Sequence, residues 1–257
     1  MKDRVVVITG ASEGIGAVLA ENISKKGAKV VLVARREEKL NDVAKKCAAE
    51  TLVVPADVTV RDDLKRVVAK AIERFGHVDV LVNNAGRGIS RSVLDLSDED
   101  VDDMVRINVK SVLYGIQAVM PHFVERGEGH IVNVSTMLAR VPFAPIRSMY
   151  AACKAAVNSL SSSLRVELLQ KHPGIHVSVV HPGVVATDFG LNAMHGGPDN
   201  RKLPGAQPAS EVAEVLAGVI EKPRADVYTR AGAQQVVAAY YSAEDMGAAE
   251  KSPPFTR

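Results

Sequence analysis

The stretch VVVITGASEGIG, residues Val5 to Gly16, joins a run of β-branched residues directly to a glycine-rich turn. Behind it comes AVLAENISKKG, an amphipathic run that closes at Gly27. The order strand, glycine turn, helix brings backbone N–H groups and the positive end of a helix dipole up to a phosphate. The spacing is G-x-x-x-G-x-G, set by Gly10, Gly14 and Gly16, so the G-x-G-x-x-G dinucleotide fingerprint is not met literally. Alone, such a turn is often only structural. Between an N-terminal strand and a helix it points to a nucleotide, with Gly10, Ser12, Glu13, Gly14, Ile15 and Gly16 as the contacting residues.

Working outward, β-branched runs recur at Lys29 to Ala34, Thr51 to Val54, Val78 to Asn83, His130 to Ser135, Ile175 to His181 and Asp226 to Thr229. Segments of helical periodicity separate them. Val5-Val6-Val7-Ile8 and Val30-Val31-Leu32-Val33 are apolar on both faces, which burial between two helical layers demands. The pattern predicts an α/β chain with a Rossmann-like, doubly wound, mainly parallel seven-stranded sheet flanked by helices on both faces. Residues 1–257 read as a single domain, since no linker divides them. Phe189 to Pro208 reads as a long loop bordering the site, and Gly190, Gly196, Gly197 and Gly205 give it the freedom of a substrate lid. Gly247 to Arg257, with Pro253-Pro254, reads as an extended tail. The acidic run SDEDVDD, Ser97 to Asp103, reads as a capped helix start and not as paired catalytic carboxylates.

Composition narrows the partners. Against 30 Asp+Glu stand 32 Lys+Arg, a net charge of +2, which supplies no field to capture nucleic acid or an acidic membrane and leaves a small-molecule partner. Hydrophobic residues at 47% and charged residues at 24% exclude a largely disordered chain. Two cysteines, Cys47 and Cys153, make neither a disulfide framework nor a four-ligand zinc site and fit a reducing compartment. The run Val5 to Ile8 is too short for a signal segment and no run approaches a membrane span, so a soluble cytoplasmic protein is expected. No metal is expected either: His172 and His176 flank Pro173-Gly174, which breaks the helix that would align them.

The end of the second strand decides between nicotinamide cofactors. An acid there would hold the adenosine ribose 2′-OH and repel a 2′-phosphate. The sequence is VVLVARR, with Ala34 at that position and Arg35 and Arg36 behind it. An arginine can make charge-assisted bonds to the phosphate, so NADP(H) is expected over NAD(H). The preference rests mainly on Arg35, because Glu13 in the glycine turn is not basic.

Six elements in order carry a wider resemblance: TGASEGIG, Asp57-Val58 after the third strand, NNAG at Asn83 to Gly86, Asn108 in RINVKS, YAACK at Tyr150 to Lys154, and HPGVVAT at His181 to Thr187. Over nearly its whole length the chain resembles the short-chain dehydrogenase/reductase family. The resemblance implies that Asp57 and Val58 flank the adenine and that Asn84, Ala85 and Gly86 support the middle of the cofactor. It implies that Pro182, Gly183, Val185 and Thr187 lie along the nicotinamide. Tyr150 is then the catalytic acid/base, Lys154 its partner on both phenol and ribose, and Asn108 the anchor of a water chain to the lysine. The family often assembles as dimers or tetramers, and Ala152, Ala156, Ser159 and Ser163 form a stripe that permits close packing, so a homodimer or homotetramer is expected.

The tyrosine and lysine have a physical case of their own. A free tyrosine, with a pKa of about 10, is a poor base and needs a nearby cation to hold phenolate. A lysine four residues later lies on the same helix face, one turn on. The third group departs from the usual pattern, in which a serine ends the fifth strand. Here IVNVST offers Ser135 and Thr136 on opposite faces, and alignment on IVNVS puts the role on Thr136, with Ser135 in a shifted register as the alternative. Threonine keeps the donor and adds a methyl. Cys153 stands where serine is common and reads as a packing residue or a reactive thiol.

The expected reaction is hydride transfer between nicotinamide and a carbonyl or secondary alcohol, run as carbonyl reduction. Reduction of a 3-oxoacyl thioester and a non-catalytic NADP(H)-sensing regulator are the alternatives. For the substrate, Phe143, Met149, Phe189, Leu191 and Met194 could form an apolar pocket, while Arg87, Arg91 and Arg147 could bind an acidic group.

Overall fold

A computed structural model of the chain describes residues 1–252 and Phe255. Its strands are β1 (Val5–Thr9), β2 (Lys29–Ala34), β3 (Thr51–Pro55), β4 (Val80–Asn83), β5 (Gly129–Val134), β6 (Ile175–His181) and β7 (Asp226–Tyr228). They form one sheet in the order β3-β2-β1-β4-β5-β6-β7. Every pairing is parallel, as the two-faced apolar runs predict. The chain winds outward from β1 to β3, then returns to β4 and winds the other way. That reversal opens a crevice at the carboxyl ends of β1 and β4, where ligands of such sheets bind.

Nine helices are described: α1 (Gly14–Lys25), α2 (Glu37–Ala44), α3 (Arg61–Phe75), α4 (Asp98–Val105), α5 (Ser111–Arg126), α6 (Ser148–Lys171), α7 (Ala209–Glu221), α8 (Ala233–Tyr241) and α9 (Met246–Ala249). Alternation along the strands sends Val6, Ile8, Val30 and Leu32 into one layer, with Leu19 and Ile23 of α1 and Leu216 of α7. Val5, Val7 and Val31 face the other, against Val67 of α3, Phe123 of α5 and Val157 of α6. Each such side chain contributes about 1.5–3 kcal/mol on burial, so the two layers fix the sheet and the sheet fixes the crevice. Ser97 and Asp100 form a reciprocal capping box at the start of α4, as the acidic run predicts. Between α4 and α5 the helix widens into a π turn, Arg106–Lys110, that carries Asn108.

Three sequence expectations need correction. β4 begins at Val80 and not at Val78, whose N–H goes to Nε2 of His122 (3.1 Å), while the Asp79 N–H still donates to the Val5 carbonyl at 3.0 Å. β5 ends at Val134, so Ser135 and Thr136 follow the strand, although the Ser135 N–H still donates to the Val180 carbonyl at 2.8 Å. The extended tail expected over Gly247 to Arg257 instead opens in α9, whose Asp245 side chain accepts from the Gly247 N–H at 2.9 Å. Phe255 then packs back on Phe143 and Tyr240, with ring centres 5.2 and 5.3 Å away. The rest of that expectation, at Pro253, Pro254, Thr256 and Arg257, lies outside the described residues.

Candidate active site

One cleft of about 1670 Å³ runs along the carboxyl ends of the strands. The glycine turn forms its floor and is built by tertiary contacts. Oγ1 of Thr9 accepts from the N–H groups of Asn84 (3.0 Å) and Ala85 (3.1 Å), while Nδ2 of Asn84 donates to the carbonyls of Thr9 (2.9 Å) and Gly10 (3.2 Å). Gly10 has φ +66°, and a methyl there would lie 2.9 Å from the Ala85 Cα, so no other residue fits. Gly16 does not line the cleft; a methyl on it would collide with the Gly10 carbonyl, so its part is to let α1 approach. No side chain caps α1, which leaves its first-turn N–H groups open to a ligand. Ser12, Glu13, Gly14 and Ile15 line this part of the cleft, as do Asp57, Val58, Asn84, Ala85 and Gly86.

At the end of β2 the Arg35 side chain is exposed and makes no hydrogen bond or ion pair among the described residues. Arg36 is engaged: Nη2 lies 2.7 Å from Oε2 of Glu13, and Lys39 reaches the same oxygen at 3.3 Å. Burial raises the Glu13 carboxyl, but hydrogen bonds from Arg36 and Lys39 outweigh it and hold the group below its ordinary value. The other Glu13 oxygen accepts from Nδ2 of Asn192 at 3.0 Å, so the 189–208 loop crosses the cleft and touches the glycine turn.

At the opposite end Tyr150 and Lys154 occupy successive turns of α6, both buried. Nζ of Lys154 donates to the Val134 carbonyl at 2.8 Å and lies 6.0 Å from the centre of the Tyr150 ring. Burial brings the Lys154 ammonium down to about 8. It pushes the Tyr150 phenol well above its ordinary range, against the opposing charge of Arg147 and the side chain of Thr136. Thr136 thus faces the phenol, with Oγ1 also accepting from the Leu138 N–H at 3.2 Å. Ser135 turns to α6, its hydroxyl donating to the Lys154 carbonyl at 3.4 Å. Asn108 does not line the cleft, and its Oδ1 and the Lys154 ammonium both flank Gly86, where a methyl would meet them at 2.9 and 3.4 Å. Its Nδ2 donates to the carbonyls of Arg87 (3.0 Å) and Met104 (3.1 Å), and its Oδ1 accepts from the Arg87 N–H at 3.2 Å. Pro182, Gly183, Val185 and Thr187 line the wall between the two ends. Burial lifts the Cys153 thiol to about 11, and its packing against Ile89, Met104 and Tyr150 makes it a core residue.

A family model described as short chain dehydrogenase matches residues 4–195. This chain is a short-chain dehydrogenase. An uncharacterised oxidoreductase of Staphylococcus epidermidis is 37% identical over 196 residues, covering 74% of this chain and 84% of the relative. The solved structure of a 3-ketoacyl-(acyl-carrier-protein) reductase from Brucella melitensis complexed with NADH is 31% identical, with TM-score 0.79 over 88% of this chain and 96% of that one. A short chain dehydrogenase from Burkholderia cenocepacia in complex with NADP is 29% identical, with TM-score 0.79 over 91% and 98%. The fold and the oxidoreductase class of this dehydrogenase stand on these matches.

Within the dehydrogenase the expected apolar lining is partly met. Phe143, Phe189 and Met194 line the cleft, whereas Met149 packs outside it and Leu191 is 47% exposed. Phe189 lies against Tyr150, ring centres 5.3 Å apart. Sequence reading misses Thr9, Asn192 and Phe255. The position of Thr9, last in the strand before the glycine turn, is a usable signal. Asn192 and Phe255 act across long stretches of chain and leave no periodic trace. No helix among the described residues is long and apolar enough to cross a membrane, and no cluster of three metal-ligating side chains occurs among them.

Proposed function

We propose that the protein is an NADP(H)-dependent reductase of a carbonyl compound, interconverting it with the secondary alcohol. The observation that carries this reading is the buried Thr136–Tyr150–Lys154 group at one end of a cleft whose other end offers Arg35 with no acid at Ala34. The cofactor fits the residues present. The close approach at Gly10, the uncapped start of α1 and the unpaired Arg35 suit a pyrophosphate and a 2′-phosphate. When bound, the nicotinamide supplies or accepts the hydride.

The chain's own residues handle the oxygen. The Thr136 hydroxyl and the Tyr150 phenol donate hydrogen bonds to the substrate carbonyl oxygen, and Tyr150 delivers its proton as that oxygen gains charge. Burial keeps the phenol protonated at neutral pH, the form that reduction requires. Oxidation of the alcohol requires phenolate instead, which the Lys154 ammonium stabilises. Asn108 holds the Gly86-Arg87 backbone against the lysine, and Phe189 shields the phenol from water.

The test is titration with NADPH and NADH, followed by turnover of a carbonyl panel with NADPH. NADPH is expected to bind at least about ten-fold more tightly, roughly the value of one charge-assisted contact. Equal or tighter NADH binding overturns the cofactor assignment. A second reading, reduction of a 3-oxoacyl thioester, is favoured by the likeness to the Brucella reductase. An acetoacetyl thioester in the panel separates the two, and cofactor binding without turnover of any member supports a sensor.

A further inference from the structure

Of the three arginines that could meet an acidic group, Arg91 is paired and Arg87 is exposed. Nε of Arg87 donates to the Asn192 carbonyl at 2.9 Å. Arg91 lies 3.7 Å from Oδ2 of Asp100 and 3.4 Å from Nδ1 of His195. Arg147 differs. It is only 8% exposed, yet it lines the cleft beside Tyr150 and Phe189. Its guanidinium makes one hydrogen bond among the described residues, from Nη1 to the Ile89 carbonyl at 3.1 Å. No carboxylate among them lies within 4.0 Å, and four of its five N–H donors have no acceptor among the described residues.

The space beside the guanidinium is kept by glycine. A methyl on Gly88 would meet Nη1 at 3.1 Å and the Phe189 ring at 3.0 Å, and one on Gly197 would meet Nη2 at 2.8 Å. A buried charge without a counter-ion is costly unless a ligand supplies one. The planar fork suits a carboxylate, held by two parallel bonds. A phosphate monoester would bring a second charge that this single cation does not match.

Building on the carbonyl-reductase reading, we propose that Arg147 anchors a substrate carboxylate, so that the substrate is a short oxo acid, or its hydroxy acid, whose carbonyl lies at Thr136 and Tyr150. Arg147 then fixes specificity and the angle of approach, while the proton comes from Tyr150.

The test compares acetoacetate, levulinate and benzoylformate with their methyl esters as NADPH-dependent substrates, and measures binding of the acids to the NADP+-loaded protein by calorimetry. At least one acid is expected to exceed its ester in kcat/KM by about ten-fold. In Arg147→Gln that ratio falls to near unity and the acid binds about ten-fold more weakly, while Arg147→Lys, which keeps the charge and loses the fork, lies between. The ratio cancels any general effect on catalysis, and NADPH binding reports folding of each variant. Equal rates for acids and esters in the unmodified enzyme overturn the proposal, as does a ratio unchanged in Arg147→Gln. Failure of the reductase reading is distinct: no acid or ester is turned over. Acid binding that depends on Arg147 then still supports the anchor, and binding that ignores Arg147 overturns it.

Discussion

Arginine stands at both ends of the cleft, in opposite surroundings. At the end beside β2 Arg35 is open to water and Arg36 is half exposed, paired with Glu13. At the end that holds Tyr150, Arg147 is buried with no carboxylate beside it among the described residues, close to a phenol and an ammonium that burial also perturbs. An exposed cation is screened by salt and adds affinity in modest steps. A buried one remains unfavourable until a counter-charge arrives, which makes it selective. On the proposed reading the two ends divide the work, affinity for the cofactor at one and choice and chemistry at the other.

The largest expected effect tests that division. Tyr150→Phe removes the transferable proton and is expected to lower kcat about a thousand-fold, within the usual range for general acid catalysis, with the NADPH Kd nearly unchanged. Steady-state kinetics beside calorimetry measure both, and turnover at the unmodified rate would remove the tyrosine from the mechanism.

Next comes the buried charge of Lys154. An unfolded lysine keeps its proton to about 10.5, whereas the folded one gives it up near 8. Between those values the unfolded chain binds more protons, so this group makes stability rise with pH and lowers it below about 8. Lys154→Met is expected to stabilise the cofactor-free protein at pH 7 by about 2 kcal/mol, allowing about 1 kcal/mol for the lost bond to Val134. The gain shrinks as pH rises toward 10.5, which urea unfolding across that range would follow.

Arg35→Ala is expected to weaken NADPH binding about ten-fold and NADH binding hardly at all, with the loss fading at high salt. The preference for acids attributed to Arg147 is expected to persist in the same salt, so equal salt dependence at both ends would erase the contrast. Thr136→Val is expected to lower kcat/KM about five-fold while Ser135→Ala has little effect, since only Thr136 faces the phenol. The reverse order would move the donor role to Ser135. The smallest change is expected from Glu13→Gln, which frees Arg36 from an exposed pair and tightens NADPH about two-fold by calorimetry.

Much of this is legible in the sequence, for identifiable reasons. Valine runs apolar on both faces can satisfy themselves only between two layers, so seven strands and their parallel order follow from the pattern. The start of β4 does not, because Val78 is apolar and buried like the strand residues that follow Asp79, and the His122 side chain takes its N–H. The glycine turn and the Tyr150–Lys154 pair are local spacings and read directly. Which of the three arginines is buried with no carboxylate beside it among the described residues depends on Asp100, His195 and Asn192, none of them near Arg147 in the chain. Phe255 follows two prolines, a signal for extended chain, and its partner Phe143 lies far upstream.

The knitting of Asn84 and Ala85 into the glycine turn also bears on how the protein is made. β1 pairs with β4 through Val6 and Val80, and Thr9, Asn84 and Ala85 knit the start of the turn to that neighbouring strand. A growing chain has its glycines in hand long before the residues that hold them in place leave the ribosome. Closing that interval is a non-local step, slow to search and repaid only on completion. Fragments ending before Asn84 carry the motif without the bonds from Asn84 and Ala85 that shape it.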